Sequence, residues 1–414
     1  MRFTIFLLLI IALMFVGGCG DDDDDDSTSG TSPDDDDAIA DDDDIIDDDD
    51  SVSDDDDAAS DDDDNIDDDD FADDDDTIDD DDTVDDDDAL DDDDDSFPPP
   101  SPDYDMDFEG FGADTTGGEG GEELIVTNVN DSGPGSLRDI LAGITGPAIV
   151  RFAVDGTIEA QHFFEIPSDI TIDARGHNIT IKNNGFRIDG KSNIIVMNVA
   201  FQDVSGEIGD CFQIMNGAHD IVIFHCSFDN AGLMPFIPDI PDEQISIIFG
   251  SYNITISWCR FANHDKVLLI GNGDAPQAVD EVIAVTMHHN VFYNTGRRHP
   301  FLRFGRVDMY NNIIHQVTKY LEFPYGSRSQ ELAQILSERN WYDFTSHYFC
   351  IGAYHKLGGK MRLVDNEVTE SWIVMMENKP DEVFQRPYAA TIHRIDDNWK
   401  TMMDNHTGNT MPAP

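Results

Sequence analysis

The sequence predicts an all-β domain in which short strands stack in parallel as a β-solenoid, and two observations lead to this prediction. From about Leu124 onward, short β-branched runs alternate with Asn, Gly and Asp, and each run is either alternating or continuously apolar, which is typical of strands. Runs with one shared signature close at intervals of 22 to 33 residues, with no convincing helical pattern between them. A repeat of that length without helices indicates a stack of similar coils.

The closing residues of these runs predict two columns of side chains inside the solenoid. The first column consists of Phe201, Phe228, Phe261, Phe292 and Ile314. The second column lies two positions earlier and consists of Val199, Cys226, Cys259, Asn290 and Asn312. Stacked asparagines can hydrogen-bond to one another inside a protein. We expect the two cysteines to be buried apolar residues and not catalytic thiols.

The first 19 residues predict export and lipid attachment. Arg2 precedes a short apolar run over residues 3–15, and the sequence Val-Gly-Gly-Cys then ends at Cys19, as in a bacterial lipoprotein cleavage box. The run is short for a membrane span and has the flanks of a secretion signal; an uncleaved anchor is the alternative. We therefore expect residues 1–19 to be a signal peptide. Cys19 would hold the mature chain at a bacterial membrane or outer surface through acyl chains, unless the protein is released.

Residues 20–122 predict a disordered Asp-rich stalk that ends in a Pro- and Gly-rich linker. The chain has a formal net charge of −66, and residues 20–120 contain 53 of its 89 acidic residues. Such a segment buries too little apolar surface to offset its ordering entropy, and repulsion between like charges extends it. We expect a spacer; a weak, multivalent cation collector is the alternative. The remaining domain, residues 123–414, is only mildly acidic.

A short helix is predicted at the start of this domain. Ser136 can serve as the N-cap, and Leu137, Ile140, Leu141 and Ile144 fall on one helical face. Because the open end of a solenoid needs a cover, we expect this helix to cap the N-terminal end. The segment from about residue 320 is expected to add the last coils and packing segments.

The stretch NTGRRHPFLRFGRVDMYNN, residues 294–312, concentrates arginines in an acidic chain. Lys266 follows Phe261 at nearly the distance at which Arg298 follows Phe292. This spacing predicts that the two cations lie on one corner of adjacent coils, about 4.8 Å apart along the stack. The stretch is either a solvated turn or part of a groove that holds an anion.

Three stretches of the sequence carry a resemblance to a known family. They are VTNVNDSGPGSLRDIL, NITISWCRFANHDKVLLIG and NTGRRHPFLRFGRVDMYNN. Together they make residues from about 124 to 317 resemble the pectate lyases of polysaccharide lyase family one. The resemblance implies a right-handed parallel β-helix. It also implies calcium-assisted β-elimination on polygalacturonate, which gives unsaturated oligogalacturonides.

The same resemblance implies roles for three cations. Arg298 matches the arginine taken as the base, although a guanidinium normally stays protonated. Arg303 matches the arginine that grips the substrate carboxylate, and Lys266 matches a lysine that contacts the carboxylate. Arg297 and Arg306 have no implied role, and we expect them to be solvated or to lie at the rim of the site.

The implied calcium site is less complete. Asp210 and Asp242 match family carboxylates, whereas Ser246 stands where the family has a second Asp. Glu207 and Glu243 are close enough in sequence to contribute. Calcium prefers six to eight oxygen ligands, so we expect a weaker site than the family pattern gives.

Departures from the family pattern leave two alternatives open. Ile208 stands in place of an Asp, and Phe301 stands where an arginine is common. The alternatives are a non-catalytic β-helix that binds acidic polysaccharide as an adhesin, and a calcium-independent lyase acting on pectin or another uronate.

Three histidines lie beside these segments, namely His264, His288 and His289. A role as ligand or base is open to them, and packing is the favoured interpretation. The expected partners of the protein are an acidic polysaccharide and, through Cys19, a membrane. We expect no nucleic acid partner and a monomer.

Overall fold

The computed structural model describes residues 106–233, 241–273, 277–316, 326–344, 350–353, 358–369 and 374–411. The predicted signal peptide, Cys19 and the Asp-rich segment lie outside these residues and stay predictions. Among the described residues, every helix is too short or too polar to cross a membrane.

Strands account for most of the regular structure in the described residues. In chain order they are β1 (Glu122–Val126), β2 (Ala148–Phe152), β3 (Gly156–Glu159), β4 (Phe164–Glu165), β5 (Ile170–Asp173), β6 (Ile179–Lys182), β7 (Phe186–Asp189), β8 (Ser192–Met197), β9 (Val199–Gln202), β10 (Phe212–Met215), β11 (His219–Phe224), β12 (Ser227–Asp229), β13 (Ile245–Ile247), β14 (Tyr252–Ser257), β15 (Arg260–Lys266), β16 (Leu268–Ile270), β17 (Ala284–His288), β18 (Val291–Arg297), β19 (Phe301–Arg303), β20 (Arg306–Tyr310), β21 (Ile313–Gln316), β22 (Arg328–Gln330), β23 (Gln334–Glu338), β24 (Trp341–Phe344), β25 (Cys350–Ala353), β26 (Lys360–Val364), β27 (Glu367–Val368) and β28 (Val374–Met376). The helices are α1 (Leu137–Gly143), α2 (Gln277–Asp280) and α3 (Asp397–His406), with short 3₁₀ turns at Ala231–Leu233 and Pro380–Glu382.

These strands form three parallel sheets in the described part of the chain. Sheet 1 contains β1, β2 and then every third strand from β5 to β26; sheet 2 contains every third strand from β3 to β27, and sheet 3 every third strand from β4 to β28. Each coil therefore runs through sheets 1, 2 and 3 before the next coil stacks upon it. This order confirms the predicted parallel β-helix.

The first predicted column is confirmed inside sheet 2. The strand register places Phe201, Phe228, Phe261, Phe292 and Ile314 directly over one another. All five are buried, and the ring centroids of Phe228 and Phe261 lie 4.7 Å apart, as do those of Phe261 and Phe292. The repeat spacing therefore fixes which apolar side chains meet in the core.

The second column lies at the turn from sheet 1 to sheet 2, where asparagines bond along the stack. Asn290 Nδ2 donates to Asn312 Oδ1 at 2.9 Å, and Asn312 Nδ2 donates to Asn340 Oδ1 at 2.8 Å. The backbone N–H of Asn290 also donates to Asn312 Oδ1, at 3.0 Å. Cys226 and Cys259 continue the column as fully buried thiols. The ladder satisfies polar backbone groups that a sharp turn would otherwise leave unpaired in the core.

A left-handed residue precedes each member of this column. His225, Trp258, His289 and Asn311 have φ values of 50°, 57°, 53° and 51°. This conformation turns the chain sharply from one sheet into the next. The same conformation recurs in successive coils, so their side chains stack: the rings of Trp258 and His289 lie 4.7 Å apart and 10° from parallel.

The segment 106–121, which the sequence assigns to the linker, packs on the outer face of sheet 1. The backbone N–H groups of Phe111, Gly112 and Gly118 donate to the hydroxyls of Thr286 (2.9 Å), Thr255 (3.0 Å) and Thr171 (3.0 Å). A Cβ at Gly118 would lie 1.9 Å from the carbonyl oxygen of Ala148, so only glycine permits this approach. The predicted linker boundary is therefore wrong here, because isolated threonines on the sheet gave no sequence signal for a docked segment.

Helices α1 and α3 lie at the two ends of the described sequence. Ser136 caps α1 as predicted, because its hydroxyl accepts from the N–H of Asp139 at 3.2 Å. Leu137 and Leu141 of α1 are buried in the main core cluster, whereas the role of α1 in closing the coil stays a prediction. In α3, Trp399 and Met403 pack on the outer side of sheet 2.

We expect Asn312→Ala to lower the free energy of unfolding by about 1–3 kcal/mol for each buried group it leaves unpaired. The reason is that Asn312 accepts from Asn290 and donates to the carbonyl of Met287 at 2.9 Å. Urea denaturation measures the change. Asn178→Ala is the control, because Asn178 is exposed and its backbone bond to Asp155 is retained. Equal effects of the two substitutions would contradict a structural role for the ladder.

Stability is also expected to depend on pH through His225. Burial lowers the pKa of His225 to about 3, so it is neutral in the folded protein. A histidine in the unfolded chain titrates near 6.5. The contribution of His225 is therefore complete above about pH 6.5 and is lost as the pH falls towards 3.

The matched variant is His225→Asn, because Asn198 and Asn311 occupy the same left-handed turn position in other coils. The stability advantage of the original protein over this variant is expected to fall by about 1.4 kcal/mol per pH unit below pH 6. Urea denaturation at pH 7, 6 and 5 measures it. A constant difference across that range would show that His225 does not remain neutral when buried.

Candidate active site

The predicted cations converge at the turn from sheet 2 to sheet 3. Lys266 ends β15, Arg297 ends β18, and Arg298 follows immediately. Arg303 ends β19 in sheet 3. Parallel stacking places Lys266 and Arg297 at the same corner of adjacent coils, and Arg303 lies at the other end of the short sheet 3 strand that follows this corner.

The strand register corrects the predicted pairing of Lys266 with Arg298. Lys266 pairs with Arg297, and Leu269 pairs with Phe301. The turn that contains Arg298 therefore has one more residue than the turn of the previous coil. Arg298 has a left-handed backbone, with φ 68°, and leaves the register at this point. A one-residue insertion of this kind cannot be seen from repeat intervals alone.

Arg298 is buried and paired with a carboxylate. Its Nη1 donates to Oε1 of Glu243, and the two side chains are 5% and 4% exposed. Arg303 is buried as well, so neither arginine lies in a solvated turn or lines an open groove in this structure. Lys266 is also largely covered, with its side chain 12% exposed.

An acidic cluster lies against these cations. Asp210, Asp242 and Glu243 each place one carboxylate oxygen within 4.8 Å of the other two. The backbone N–H of Glu243 donates to Asp210 Oδ1 at 3.0 Å, and the Ser246 side chain also hydrogen-bonds to Asp210. Lys266 Nζ lies 3.8 Å from Asp242 Oδ1. The structure thus brings Asp210, Asp242 and Ser246 together and adds Glu243.

The charges in this cluster repel one another in a buried setting. Burial raises the pKa of Asp210 well above its usual range, and the charges of Glu243 and Asp242 raise it further. Burial also raises the pKa of Glu243 to about 7, although Arg298 opposes this change. A cation among the three carboxylates would relieve the repulsion. Carboxylate and hydroxyl oxygens are ligands that calcium prefers, so these residues fit a calcium ion.

Glu207 does not belong to the cluster. Its carboxylate is 46% exposed and lies 2.8 Å from Nδ1 of His162. Its backbone N–H donates to Asn184 Oδ1 at 2.9 Å, which fixes the turn so that its carboxylate meets His162. In this structure the carboxylate of Glu207 therefore pairs with His162 and lies outside the cluster. Glu243 lies closer to Asp210, because the two residues precede sheet 3 strands that stack on one another in successive coils.

Three arginine side chains lie around the ring of Phe301 on sheet 3. The guanidinium carbons of Arg303, Arg328 and Arg298 lie 4.5, 5.5 and 5.6 Å from the ring centroid of Phe301. Arg328 pairs in register with Phe301 one coil later and is also buried. Arg328 was not predicted from the sequence. Aligning the sheet 3 strands, FLR with RSQ, would have found it.

Two further predicted residues, His264 and Arg297, lie beside the acidic cluster without belonging to it. His264 is buried, accepts from Asn230 Nδ2 at 3.0 Å and donates through Nε2 to the carbonyl of Asp242 at 2.6 Å. Burial lowers the pKa of His264 to about 4, so it is neutral and packs behind the cluster. Arg297 lies 3.6 Å from Asp265 and is 20% exposed.

Two further histidines lie at the opposite side of the coil. His288 stacks on Tyr310 at 4.9 Å, and His289 stacks on Trp258 at 4.7 Å. These ring contacts agree with packing as the role of both histidines.

Arg306 is exposed, and its guanidinium carbon lies 5.0 Å from the ring centroid of Phe111.

Comparison with known families gives one match over half of the chain. A family profile described as pectate lyase matches residues 152–368. A pectate trisaccharide-lyase of Thermotoga sp. (strain RQ2) is 32% identical over 210 residues, covering 48% of this chain and 52% of the relative. A probable pectate lyase of Solanum lycopersicum is 31% identical over 258 residues, covering 56% of this chain and 60% of the relative. The chain thus spans about half to three-fifths of the length of these relatives.

Solved structures share the fold. A thermostable pectate lyase, PL 47, superposes with a TM-score of 0.62 at 19% identity, covering 75% of this chain and 99% of that chain. A pectate lyase from Bacillus sp. N165 in complex with trigalacturonate gives a TM-score of 0.58 at 20% identity, covering 73% and 98%. At these identities the likeness shows the β-helix fold alone.

We expect Arg298→Met to lower the free energy of unfolding by about 3–5 kcal/mol, because it leaves the buried carboxylate of Glu243 without its charge partner. Arg297→Met is the matched control, since its contact with Asp265 is longer and more exposed, and we expect at most about 1 kcal/mol there. Chemical denaturation of both variants, without added calcium, measures the difference. A larger loss for the Arg297 variant would mean that the register at this turn is wrong.

Proposed function

The chain belongs to the pectate lyase family, and we propose that it cleaves pectate or a related polyuronate by calcium-assisted β-elimination, giving unsaturated oligogalacturonides. The observation that supports this most is the corner where Lys266 and Arg298 meet an acidic cluster. Arg303 lies beside Arg298 over the ring of Phe301. The reaction needs positive charge beside a uronate carboxylate, a proton acceptor near C5 and a site for an anionic polymer.

Positive charge lowers the barrier because removing the C5 proton places negative charge on the adjacent carboxylate. In the proposed reaction Arg303 binds this carboxylate through its planar fork of donors. Lys266 adds a point charge from the neighbouring coil. As the C5–H bond breaks, the proton passes to the acceptor and the electron pair forms the C4–C5 double bond. The C4–O bond breaks, and the departing oxygen takes a proton from water.

Arg298 is the proton acceptor in this proposal, as the family resemblance implies. A guanidinium is protonated under ordinary conditions, and the contact with Glu243 favours that form. Arg298 must therefore leave Glu243 and lose one proton to solvent before it can accept the C5 proton. The positive charges of Lys266 and of a bound cation would favour that loss. The one-residue insertion at its turn supports this role, because it separates Arg298 from the regular wall of the coil.

Asp210, Asp242, Glu243 and Ser246 are the residues that would hold calcium. When bound there, calcium supplies positive charge that neutralises the uronate carboxylate. Three carboxylates and one hydroxyl are fewer than the six to eight oxygens that calcium prefers, so water and substrate complete the coordination. The site is accordingly expected to be weak without substrate.

Non-catalytic binding of acidic polysaccharide is the second candidate function. The burial of Arg298 and Arg303 favours it, because a catalytic arginine must reach the sugar. A calcium-independent lyase is the third candidate, on the ground that Ile208 and Ser246 replace two family carboxylates. The three functions differ in product formation and in their response to a chelator.

We also propose where the protein acts. Residues 1–19 are a lipoprotein signal, Cys19 carries the lipid, and the Asp-rich segment that follows holds a monomeric domain away from the membrane. The sequence pattern of these residues supports this arrangement. The location would give the domain access to polysaccharide outside the cell, with no role for nucleic acid.

The test is the ultraviolet absorbance of unsaturated uronate as the full chain acts on polygalacturonate with calcium. Arg298→Lys and Arg303→Lys are each expected to lower kcat by about 10²–10³-fold, because lysine lacks the planar fork. Arg306→Lys is the matched control, since Arg306 is exposed and distant from the cluster. We expect it to leave the rate unchanged.

A chelator separates the three candidates. Loss of product with chelator, restored by calcium, is the expected result. Product that persists with chelator would indicate the calcium-independent lyase. Binding to polygalacturonate without product at neutral and alkaline pH would reject the lyase proposal for this substrate.

A further inference from the structure

Glu243 takes part in two networks at once. Its carboxylate accepts from Nη1 of Arg298, while its backbone N–H donates to Oδ1 of Asp210 at 3.0 Å. The same carboxylate belongs to the cluster with Asp210 and Asp242, in which the oxygens lie within 4.8 Å of one another. Any cation that binds the cluster therefore meets the carboxylate that holds Arg298.

Because it is buried, the carboxylate of Glu243 pairs either with Arg298 or with a cation bound to the cluster. Its side chain is 4% exposed, so solvent does little to stabilise its negative charge. A buried carboxylate needs a positive partner close by. Arg298 is that partner in this structure, and Lys266 lies nearer to Asp242, at 3.8 Å. A divalent cation between the carboxylates would offer Glu243 a second partner of greater charge.

Glu243 supplies the third carboxylate of the cluster. Ser246, one coil above Gln213 on sheet 3, has a hydroxyl in place of a charged ligand. Glu243 lies three residues earlier and brings a carboxylate back into the cluster from the preceding turn. The charge of the cluster is thereby restored by a residue that also contacts the proposed proton acceptor.

We propose that Glu243 couples cation binding to the position of Arg298. Its carboxylate pairs with Arg298 in the cation-free protein and turns to the cation when one binds, which releases the guanidinium towards the substrate. Glu243 is a positioning residue in this scheme. The inference rests on the proposed function for the identity of the cation, calcium, yet the coupling is measurable without any sugar.

Coupling of this kind is reciprocal. If calcium must displace Arg298 from Glu243, then removing the charge of Arg298 makes calcium bind more tightly. Removing the charge of Glu243 makes calcium bind more weakly, because a ligand is lost. A purely structural ion pair would give neither pattern, since both substitutions would lower stability without opposite effects on calcium.

The experiment measures thermal unfolding of the full chain against calcium concentration, with calcium chloride as the only addition. Tryptophan fluorescence follows the domain, because all four tryptophans lie between residues 258 and 399. Calcium that binds the Asp-rich segment with the same affinity in the folded and unfolded protein does not shift Tm, because only a difference between those affinities changes stability. The readout therefore reports the cluster.

Glu243→Gln is expected to need about tenfold more calcium for the same rise in Tm, and Arg298→Gln about tenfold less. Arg298→Lys, which keeps the charge, covers the case in which Arg298→Gln fails to fold, and should fall between the original protein and Arg298→Gln. Glu207→Gln is the matched control, since its carboxylate pairs with His162 outside the cluster. We expect it to match the original protein.

Three results would overturn the coupling. They are shifts in the same direction for Glu243→Gln and Arg298→Gln, shifts no larger than that of Glu207→Gln, and no calcium stabilisation of the original protein. The last result combined with formation of unsaturated product would leave the lyase proposal standing. Opposite shifts without any product would support the coupling and reject the lyase activity.

Discussion

Parallel stacking of the coils, residue over residue, is the constraint on which the rest of the structure depends. Once one strand is placed, backbone hydrogen bonds fix the position of its counterpart in the next coil. The asparagines at 290, 312 and 340 extend this bonding to the turn from sheet 1 to sheet 2. The turn from sheet 2 to sheet 3 is freer, and there the coils differ by one residue beside Arg298.

The candidate site uses this difference. The regular wall supplies fixed positions for Asp210, Lys266 and Arg303, whereas the inserted residue lets Arg298 leave the register and reach Glu243. Arg298 and Glu243 then lie together at 5% and 4% exposure, whereas Asp242 is 40% exposed. Each buried charge offsets the desolvation cost of its opposite partner. A substrate carboxylate or a cation that enters the site therefore exchanges partners with groups already present.

The repeat made much of the fold predictable. The columns through Phe261 and Asn290 could be predicted from the repeat interval and the residue type alone. Both features identify the residues that occupy the same interior position in successive coils. The register of Arg298 did not follow, because the intervals between column residues vary from 22 to 33, and one added turn residue cannot be recognised against that variation. The docking of residues 106–121 was also missed, since backbone donors meeting threonine hydroxyls leave no pattern in hydrophobicity. For the acidic ligands, nearness in sequence did not separate Glu207 from Glu243; only the fold shows which turn points inward.

The central claim is that a uronate carboxylate binds at the corner shared by Lys266, Arg303 and the acidic cluster. A crystal structure of the protein with calcium and a short oligogalacturonate tests it most directly. We expect the sugar acid within hydrogen-bonding distance of Lys266 and Arg303, with calcium held by Asp210 and Asp242. An oligogalacturonate bound on another face, with Arg298 still paired to Glu243 and the cluster without calcium, would contradict it.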